Sequence, residues 1–279
     1  MSDIPENIQL FDCEKVAQNR SRGRDLGPEH DFLRQEIADR LNDRLADINR
    51  RFKNILDIGG DFCRFTDRYD SKLVPAIPEV LDVTPNSFDL VVSNLSLHWV
   101  NDLPGIMVQA NRALKPDGLF MAAMFGGETL HELGYSLLSA EAEITGGANQ
   151  RVIPFADVRD LGSLLQRAGF ALPVTDMDTI TVTYDHPLKL MHELRGMGET
   201  NAMFSRPKSF LRRDVLLRAC EIYQEKFGLP DGRIPATFQI MYMTGWHPHE
   251  SQQKPLKPGS GKVNLADALK AGGPPKQKT

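Results

Sequence analysis

The sequence has few cysteines, and they do not form a recognisable framework. Its 279 residues contain only Cys13, Cys63 and Cys220, an odd number without the spacing of a metal site. This pattern argues against a small secreted domain held by disulfides. We expect buried or incidental thiols in a protein from a reducing compartment.

The common metal-binding motifs HExxH and CxxC are also missing. His247, His249 and Glu250 stand close together, but alternation along a strand places both histidines on one face, with Pro248 between them. No set of two histidines and one carboxylate, the arrangement that non-haem iron hydroxylases use, is evident. The sequence therefore predicts no metal site.

Long apolar runs and an excess of positive charge are absent as well. No run approaches the roughly 18 apolar residues of a membrane span, and the N-terminus has no apolar core of the signal-peptide type, so we expect a cytoplasmic protein. The net charge of −4 argues against a nucleic-acid partner. The basic clusters at residues 20–24 and 212–213 are interleaved with acids, and we interpret them as solvated helix faces.

The most informative stretch is FDLVVSNLSLHWVNDLP, residues 88–104. Its apolar run is typical of a parallel strand that is buried on both faces. Ser93, Asn94, His98, Trp99 and Asn101 then crowd the place where this strand would end. Because ligands of open α/β sheets bind outside the carboxyl ends of the strands, we predict a ligand site here.

A second strand, FKNILDI at residues 52–58, runs into Gly59, Gly60 and Asp61. This order favours contact between backbone amides and a ligand, although the spacing GxGxxG is absent. Only 28 residues separate Gly59 from Phe88. Each crossover between parallel strands needs about a dozen residues, so we predict that part of the second and third strand region is missing.

The rest of the chain alternates between helical and strand patterns. We predict helices at residues 32–51, 105–114, 128–144, 155–168, 187–195 and 208–227, a turn at 115–118, and strands at 119–125, 180–184 and 236–246. This order indicates an α/β domain at 53–250 with a helical insertion in its C-terminal half. An N-terminal helical segment at 1–52 precedes it, and a partly disordered tail at 251–279, with a short helix at 264–269, follows it.

Several of these motifs carry a family resemblance. The stretch at residues 88–104, followed by LKPDGLFMAAMFGG and RAGF, resembles the class I S-adenosylmethionine-dependent methyltransferases, in the branch of the malonyl-carrier-protein methyltransferases. LRGMGETNAM and PATFQIMYMTGWHPHESQ are more specific. They resemble mitochondrial complex I assembly proteins that are described as arginine hydroxylases, and their bacterial relatives. The similarity runs over about residues 11–269.

The resemblance implies a Rossmann-like sheet of seven strands, the last one antiparallel, with adenosylmethionine over the strand ends. Asp57 and Gly59 match the acidic residue and the first glycine of the cofactor loop, and Ser93 and Asn94 match the end of the fourth strand. The remaining candidate cofactor residues are Gly60, His98, Trp99 and Asp82, with Glu79 as an alternative to Asp82 for the ribose. His98 and Trp99 could equally plug the strand end.

Arg195, Glu199 and Asn201 are the candidate substrate-binding residues, because a Gly-rich polar loop between two helices is a plausible substrate contact. Arg195 could instead stabilise the end of its helix. Catalytic residues and the oligomeric state are not assigned. The resemblance implies a protein client, possibly a complex I subunit, and modification of an arginine. The alternatives are methylation of another acceptor and a non-catalytic assembly chaperone that has lost the cofactor.

Overall fold

A computed structural model describes residues 9–61, 71–76 and 79–253. The chain divides into a large unit, Met1–Pro248, and a small one, His249–Thr279. Cys63, the predicted helix at 264–269 and the end of the predicted tail lie outside the described residues. None of the described helices is long and apolar enough to cross a lipid bilayer.

Six strands and seven helices make up the described part of the chain. The strands are β1 (Ile55–Ile58), β2 (Ser71–Val74), β3 (Phe88–Asn94), β4 (Leu114–Phe125), β5 (Ala171–Tyr184) and β6 (Ile234–Trp246). The helices are α1 (Cys13–Leu26), α2 (Phe32–Ala46), α3 (Leu103–Ala113), α4 (His131–Thr145), α5 (Val158–Arg167), α6 (Pro187–Gly196) and α7 (Arg213–Phe227). Short 3₁₀ turns cover Pro28–His30 and Leu97–Trp99.

All six strands form one sheet in the order β2-β1-β3-β4-β6-β5. The first four are mutually parallel, whereas β6 runs antiparallel to both of its neighbours. The Rossmann-like α/β prediction, including an antiparallel last strand, is therefore confirmed. The second strand that we expected to be largely missing is present as β2, although it has only four residues.

Each face of the sheet has its own hydrophobic core, which explains the continuous apolar runs. Leu90 and Val92 point to the side covered by α2, α4, α6 and α7, while Val91 points to the side covered by α3 and α5. Strand β4 divides in the same way, with Met121 on the first side and Phe120 on the second. The carboxyl ends of the parallel strands are thus held rigidly between two layers of helices.

Several predicted boundaries differ from the structure. The predicted turn at 115–118 lies inside β4, where Asp117 takes a positive φ of 62° and the pairing with β3 shifts register. The turn residues therefore form a bulge. Two helix ends are fixed by local groups: the Asp102 carboxylate accepts a hydrogen bond from the Gly105 amide at the start of α3. Gly169 takes φ 86° just after α5.

Helix α1 lies within the predicted N-terminal helical segment at 1–52, but its bounds were not predicted, because it has almost no apolar stripe. Its buried residues are Val16, Asn19 and Gly23. The signal that could have revealed it is Asp12, whose side chain caps the helix by accepting from the Lys15 amide. The interpretation of residues 20–24 as a solvated face was wrong for Arg20, whose side chain is only 14% exposed and pairs with Asp61.

Candidate functional site

The ends of β1 and β3 are tied together by buried polar side chains. The Ser93 hydroxyl donates to the Ile58 carbonyl at 2.7 Å. The Asn94 amide donates to the carbonyls of Arg34 and Asp61 at 2.8 and 3.1 Å. Both residues are fully buried, as is Asp57 within β1. These polar groups fix the strand ends to the glycine turn and to α2.

The glycine turn itself has the conformation that a close backbone approach requires. Gly59 and Gly60 take φ values of 101° and 77°, which other residues rarely adopt. A Cβ at Gly59 would overlap the Ser96 side chain, whereas one at Gly60 would meet open space. The turn therefore packs against the end of β3 at its first glycine and is open at its second.

Helix α1 covers this turn with an arginine. Arg20 donates to the Leu95 carbonyl at 2.8 Å and to the Ser96 hydroxyl at 3.0 Å, and it lies 3.5 Å from Asp61. The space left beside it is a cleft of about 120 Å³. The lining residues are Val16, Ala17, Arg20, Arg24, Gly59, Pro75, Ala76 and Ser96. We call this space the glycine-turn cleft.

The two candidate ribose carboxylates, Glu79 and Asp82, both lie in the described part of the chain. The residues that follow β2 read PAIP up to Glu79. The Glu79 carboxylate accepts from the backbone amides of Asn101 and Asp102 at 2.5 and 2.7 Å. Asp82 is exposed, and its backbone carbonyl accepts from Lys72. Of the two candidate ribose ligands, Glu79 therefore binds backbone amides, and Asp82 faces solvent.

The described residues do not fit adenosylmethionine well. A ribose is held by a carboxylate that accepts from both hydroxyls, and the segment after β2 supplies none. The charged residues that line the described part of the cleft are Arg20 and Arg24, which suit the carboxylate of the cofactor but not its sulfonium cation. The described walls enclose about 120 Å³, below the roughly 300–1,000 Å³ of typical ligand pockets.

A second site lies on the other side of His98 and is organised by Glu199. One carboxylate oxygen of Glu199 accepts from Arg34 at 2.7 Å. The other accepts from the Trp99 indole nitrogen at 2.7 Å and contacts the His98 Nε2 atom at 3.0 Å. The Glu199 side chain is only 5% exposed. The predicted loop residue is therefore the centre of a buried polar network.

The environment fixes the protonation states in this network. Burial raises the pKa of Glu199, but His98, Arg34 and Arg20 outweigh burial and lower the pKa to about 2. Burial lowers the pKa of His98 below its ordinary value, although Glu199 opposes this shift. At neutral pH an ionised Glu199 can only accept, so the neutral His98 carries its proton on Nε2.

That assignment leaves the other nitrogen of His98 as a buried acceptor. His98 Nδ1 has no hydrogen-bond partner in the structure. The ring packs against Phe125 at a centroid distance of 4.7 Å and against Phe155 at 6.1 Å. An unsatisfied buried acceptor is uncommon and often marks a functional position.

Arg34 connects this network to the glycine turn. Besides Glu199, it lies 3.5 Å from Asp31 and 3.5 Å from Asp61, and Asp61 in turn pairs with Arg20. Two guanidinium groups and three carboxylates thus form one group, which we call the ion-pair cluster.

A cavity of about 150 Å³ opens beside Glu199, and we call it the Glu199 cavity. Its floor is formed by Phe125 of β4 and Phe238 of β6, and its walls come largely from α4, α6 and residues 151–155. The lining residues are Trp99, Phe125, Thr129, Leu130, Leu133, Arg151, Val152, Ile153, Phe155, Met191, Leu194, Glu199, Thr200, Asn201 and Phe238. Arg151 is paired with Glu141 at 2.7 Å and Glu199 with Arg34 at 2.7 Å, so each of these two charged residues has a partner outside the cavity lining.

The predicted substrate residues divide between the cavity and the surface. Glu199 and Asn201 line the Glu199 cavity, whereas Arg195 is exposed at the end of α6. Trp99 also belongs to this cavity. Sequence reasoning missed Arg20 and Arg34, since neither stands in a motif. In the described residues, no group of three or more His, Cys, Asp or Glu side chains could hold a metal ion.

Four parallel strands, an antiparallel β6 and polar sites at the strand ends define a class I methyltransferase fold. A profile of the family described as a methyltransferase domain matches residues 30–173. Arginine-hydroxylase NDUFAF5, mitochondrial, of Danio rerio is 42% identical, over 96% of this chain and 92% of that protein. The chain belongs to this methyltransferase-domain family, in the group of the arginine-hydroxylase NDUFAF5 proteins.

Two further relatives show the breadth of the family. The Homo sapiens protein of the same name is 41% identical, over 95% of this chain and 85% of that protein. A malonyl-[acyl-carrier protein] O-methyltransferase of Halorhodospira halophila is 32% identical, over 87% of this chain and 90% of that protein. Among solved structures, the YcgJ protein of Bacillus subtilis has a TM-score of 0.48 and 12% identity, covering 75% of this chain and 98% of its own.

The alignment with the Danio rerio protein extends over 295 positions, more than the 279 residues of this chain. The relative therefore contains residues that this chain lacks.

Proposed function

We propose that this protein binds an arginine side chain of a client protein in the Glu199 cavity and that this arginine is hydroxylated. The observation that carries the proposal is a cavity with aromatic walls and one ionised carboxylate. A guanidinium group pairs well with a carboxylate and also stacks on aromatic rings.

The size of the cavity agrees with a single side chain. About 150 Å³ corresponds to roughly five water volumes, which suits one long side chain that enters from a client surface. Trp99 and Phe155 would flank the guanidinium, and Thr200 and Asn201 offer further polar contacts at the same wall. The names of the NDUFAF5 relatives support arginine as the residue and hydroxylation as the reaction.

Hydroxylation replaces one C–H hydrogen of the arginine by a hydroxyl group. This is a two-electron oxidation, so an oxidant of the dioxygen class and an external reductant must take part. The residues of this chain are assigned the binding and orientation of the arginine. His98 is assigned a positioning role, through its 3.0 Å contact with the Glu199 carboxylate.

The client that we propose is a subunit of respiratory complex I, on the basis of the LRGMGETNAM and PATFQIMYMTGWHPHESQ motifs. Glu199 and its neighbours belong to the first motif, and β6, which forms part of the cavity floor, belongs to the second. The cytoplasm expected from the sequence remains a prediction for this chain, while the names of the relatives describe mitochondrial proteins.

The proposal is tested by mass spectrometry of complex I from cells that lack the gene. Complementation with the wild-type gene should restore one additional oxygen atom on a client arginine. Met191→Phe, which narrows the cavity, should strongly reduce this modification. Leu188→Phe is the matched control, because Leu188 is exposed on the same helix. An arginine that keeps its oxygen in the deletion strain would disprove the hydroxylase role, and a methyl group in its place would indicate a methyltransferase.

One observation favours a second candidate, the non-catalytic assembly chaperone. The segment after β2 lacks the carboxylate that holds a ribose, so the cofactor site differs from that of an active methyltransferase. In this case complex I assembly would depend on the gene, but the client would carry neither an oxygen atom nor a methyl group.

A further inference from the structure

Residues 10–12, directly before α1, are bound along both edges, and we call them the strap. On one edge, the Phe11 amide donates to Asn101 Oδ1 at 2.8 Å, and Asn101 Nδ2 donates to the Phe11 carbonyl at 3.0 Å. On the other edge, Phe11 forms an antiparallel bridge with Met203. Because both edges are held as in a strand, the direction of the Phe11 side chain is fixed.

The Phe11 ring contacts Trp99, a lining residue of the Glu199 cavity. The two ring centroids lie 5.3 Å apart and the ring planes meet at 75°, which is a favourable edge-to-face geometry. Both rings are buried. The Trp99 indole nitrogen donates to the Glu199 carboxylate at 2.7 Å. The indole thus has two directional contacts, one with the strap and one with the cavity carboxylate.

Trp99 belongs to a small apolar cluster that is separate from the two cores of the sheet. The buried members of this cluster are Phe11, Val16, Trp99, Ile153, Ala202 and Met203. Ile153 also lines the Glu199 cavity. The orientation of the indole therefore depends on the strap and its neighbours rather than on the packing of the sheet.

Asn101 stands at the start of α3, but its side chain does not cap that helix. The cap is Asp102, which accepts from the Gly105 amide. The Asn101 backbone is itself fixed, because its amide donates to the Glu79 carboxylate at 2.5 Å. The Asn101 side chain lines neither the Glu199 cavity nor the glycine-turn cleft, and both of its polar atoms bind Phe11. Its side chain therefore serves the strap.

We propose that Asn101 is a positioning residue: by holding the strap, it sets the Trp99 indole against Glu199 and so orients the carboxylate of the cavity. One Glu199 oxygen is shared by Trp99 and His98. An indole that turned away would leave that oxygen with one partner and would free the carboxylate to rotate. The consequence for a client arginine rests on the proposed function, whereas the geometry of Trp99 does not.

The test is a ¹⁵N–¹H correlation spectrum of the indole groups in the full chain. The chain has two tryptophans, and Trp246→Phe assigns their two signals. Trp246 pairs with Leu119 at the other end of the parallel strands and is an internal reference. Asn101→Ala should shift the Trp99 signal and speed exchange of its indole proton roughly tenfold, as loss of one hydrogen bond implies. The Trp246 signal should stay in place.

Three further variants separate positioning from general stability. Phe11→Leu keeps both backbone hydrogen bonds to Asn101 but removes the aromatic edge, so it should also shift the Trp99 signal, and it carries the test if Asn101→Ala does not fold. Asn101→Asp sets a carboxylate oxygen against the Phe11 carbonyl and should shift the signal too. Asn111→Ala is the matched control, because it removes a buried α3 amide that donates to the Ala168 carbonyl at 2.8 Å. It should leave the Trp99 signal unchanged.

The same variants extend to the modification of the client. The fraction of client arginine that carries an added oxygen atom should fall with Asn101→Ala and stay at the wild-type value with Asn111→Ala. A wild-type protein that leaves the client unmodified would disprove the proposed function alone, because the spectra need no client. An unchanged Trp99 signal in both Asn101→Ala and Phe11→Leu would overturn the positioning role, and so would an equal shift in Asn111→Ala.

Discussion

The Glu199 cavity and the glycine-turn cleft lie at the same edge of the sheet and share the ion-pair cluster, yet they are built differently. Glu199 at the cavity has three polar partners from distant parts of the chain. The cleft is bordered by a four-residue strand, by residues without carboxylates and by a helix with arginines. The two sites at one edge of this sheet are thus built from different kinds of contact.

The glycines near the Glu199 cavity and the glycine at the cleft also differ in their surroundings. Gly196 and Gly198 belong to the LRGMGETNAM motif and let α1 approach α6, since a Cβ on Gly23 would meet the Gly196 carbonyl at 2.5 Å. Gly60 faces open space. Gly196 and Gly198 therefore allow close packing, whereas Gly60 leaves space at the turn.

The largest loss of stability is expected when the charge of Glu199 in the cavity wall is removed. Glu199→Gln should lower the free energy of unfolding by about 3–5 kcal/mol, because a buried Arg34 would lose its strongest partner. Urea unfolding monitored by circular dichroism measures this. Glu143→Gln is the control: Glu143 pairs with Arg218 but is half exposed, so its loss should cost less than about 1 kcal/mol. Equal losses in both variants would contradict the central role of Glu199.

The next effect concerns the close contact between the helices. Gly196→Ala should destabilise the fold by about 1–3 kcal/mol, because the added methyl would overlap the buried His30 ring. Gly60→Asn should cost less than about 1 kcal/mol, since asparagine tolerates positive φ and nothing lies near. The melting temperatures of the two variants should therefore separate clearly. If Gly60→Asn proved the more damaging, the turn would be the tighter of the two sites.

The fold was largely predictable, because its strongest signal is local. The run of Leu90, Val91 and Val92 is apolar since both faces of β3 are covered by helices. Helix α1 gave no such signal, because it docks through Asn19 and Gly23 rather than through an apolar stripe.

The site was predictable only in part. Glu199 and His98 could be chosen from their motifs, but they stand 101 positions apart and their contact depends on the tertiary fold. Arg34 could not be chosen, because an arginine on an amphipathic helix resembles a surface residue until its carboxylate partners are known. Long-range ion pairs leave no periodic pattern in a sequence.

A smaller effect should appear in the pH dependence of stability. Burial lowers the pKa of His98 in the folded protein below its ordinary value of 6.5. The unfolded chain then binds more protons below that pH, so the contribution of His98 is complete above about pH 6.5 and is lost as the pH falls. The slope due to one proton is at most about 1.4 kcal/mol per pH unit.

His98→Gln should therefore flatten the fall in unfolding free energy between pH 7.5 and 5.5. His131→Gln is the matched control, because the His131 side chain is 46% exposed, and this variant should keep the wild-type slope. Identical slopes in all three proteins would mean that His98 titrates as it does in water.

The smallest effect is expected at Asp82, the residue first considered as a ribose ligand. Its side chain is exposed, and its contact with Lys72 uses the backbone carbonyl, which a side-chain change leaves intact. Asp82→Asn should therefore change the free energy of unfolding by less than about 0.5 kcal/mol. It should also leave the response to adenosylmethionine unchanged in a thermal shift titration. Asp82 would hold a ribose only if the substitution weakened that response, and the cleft would then be a cofactor site.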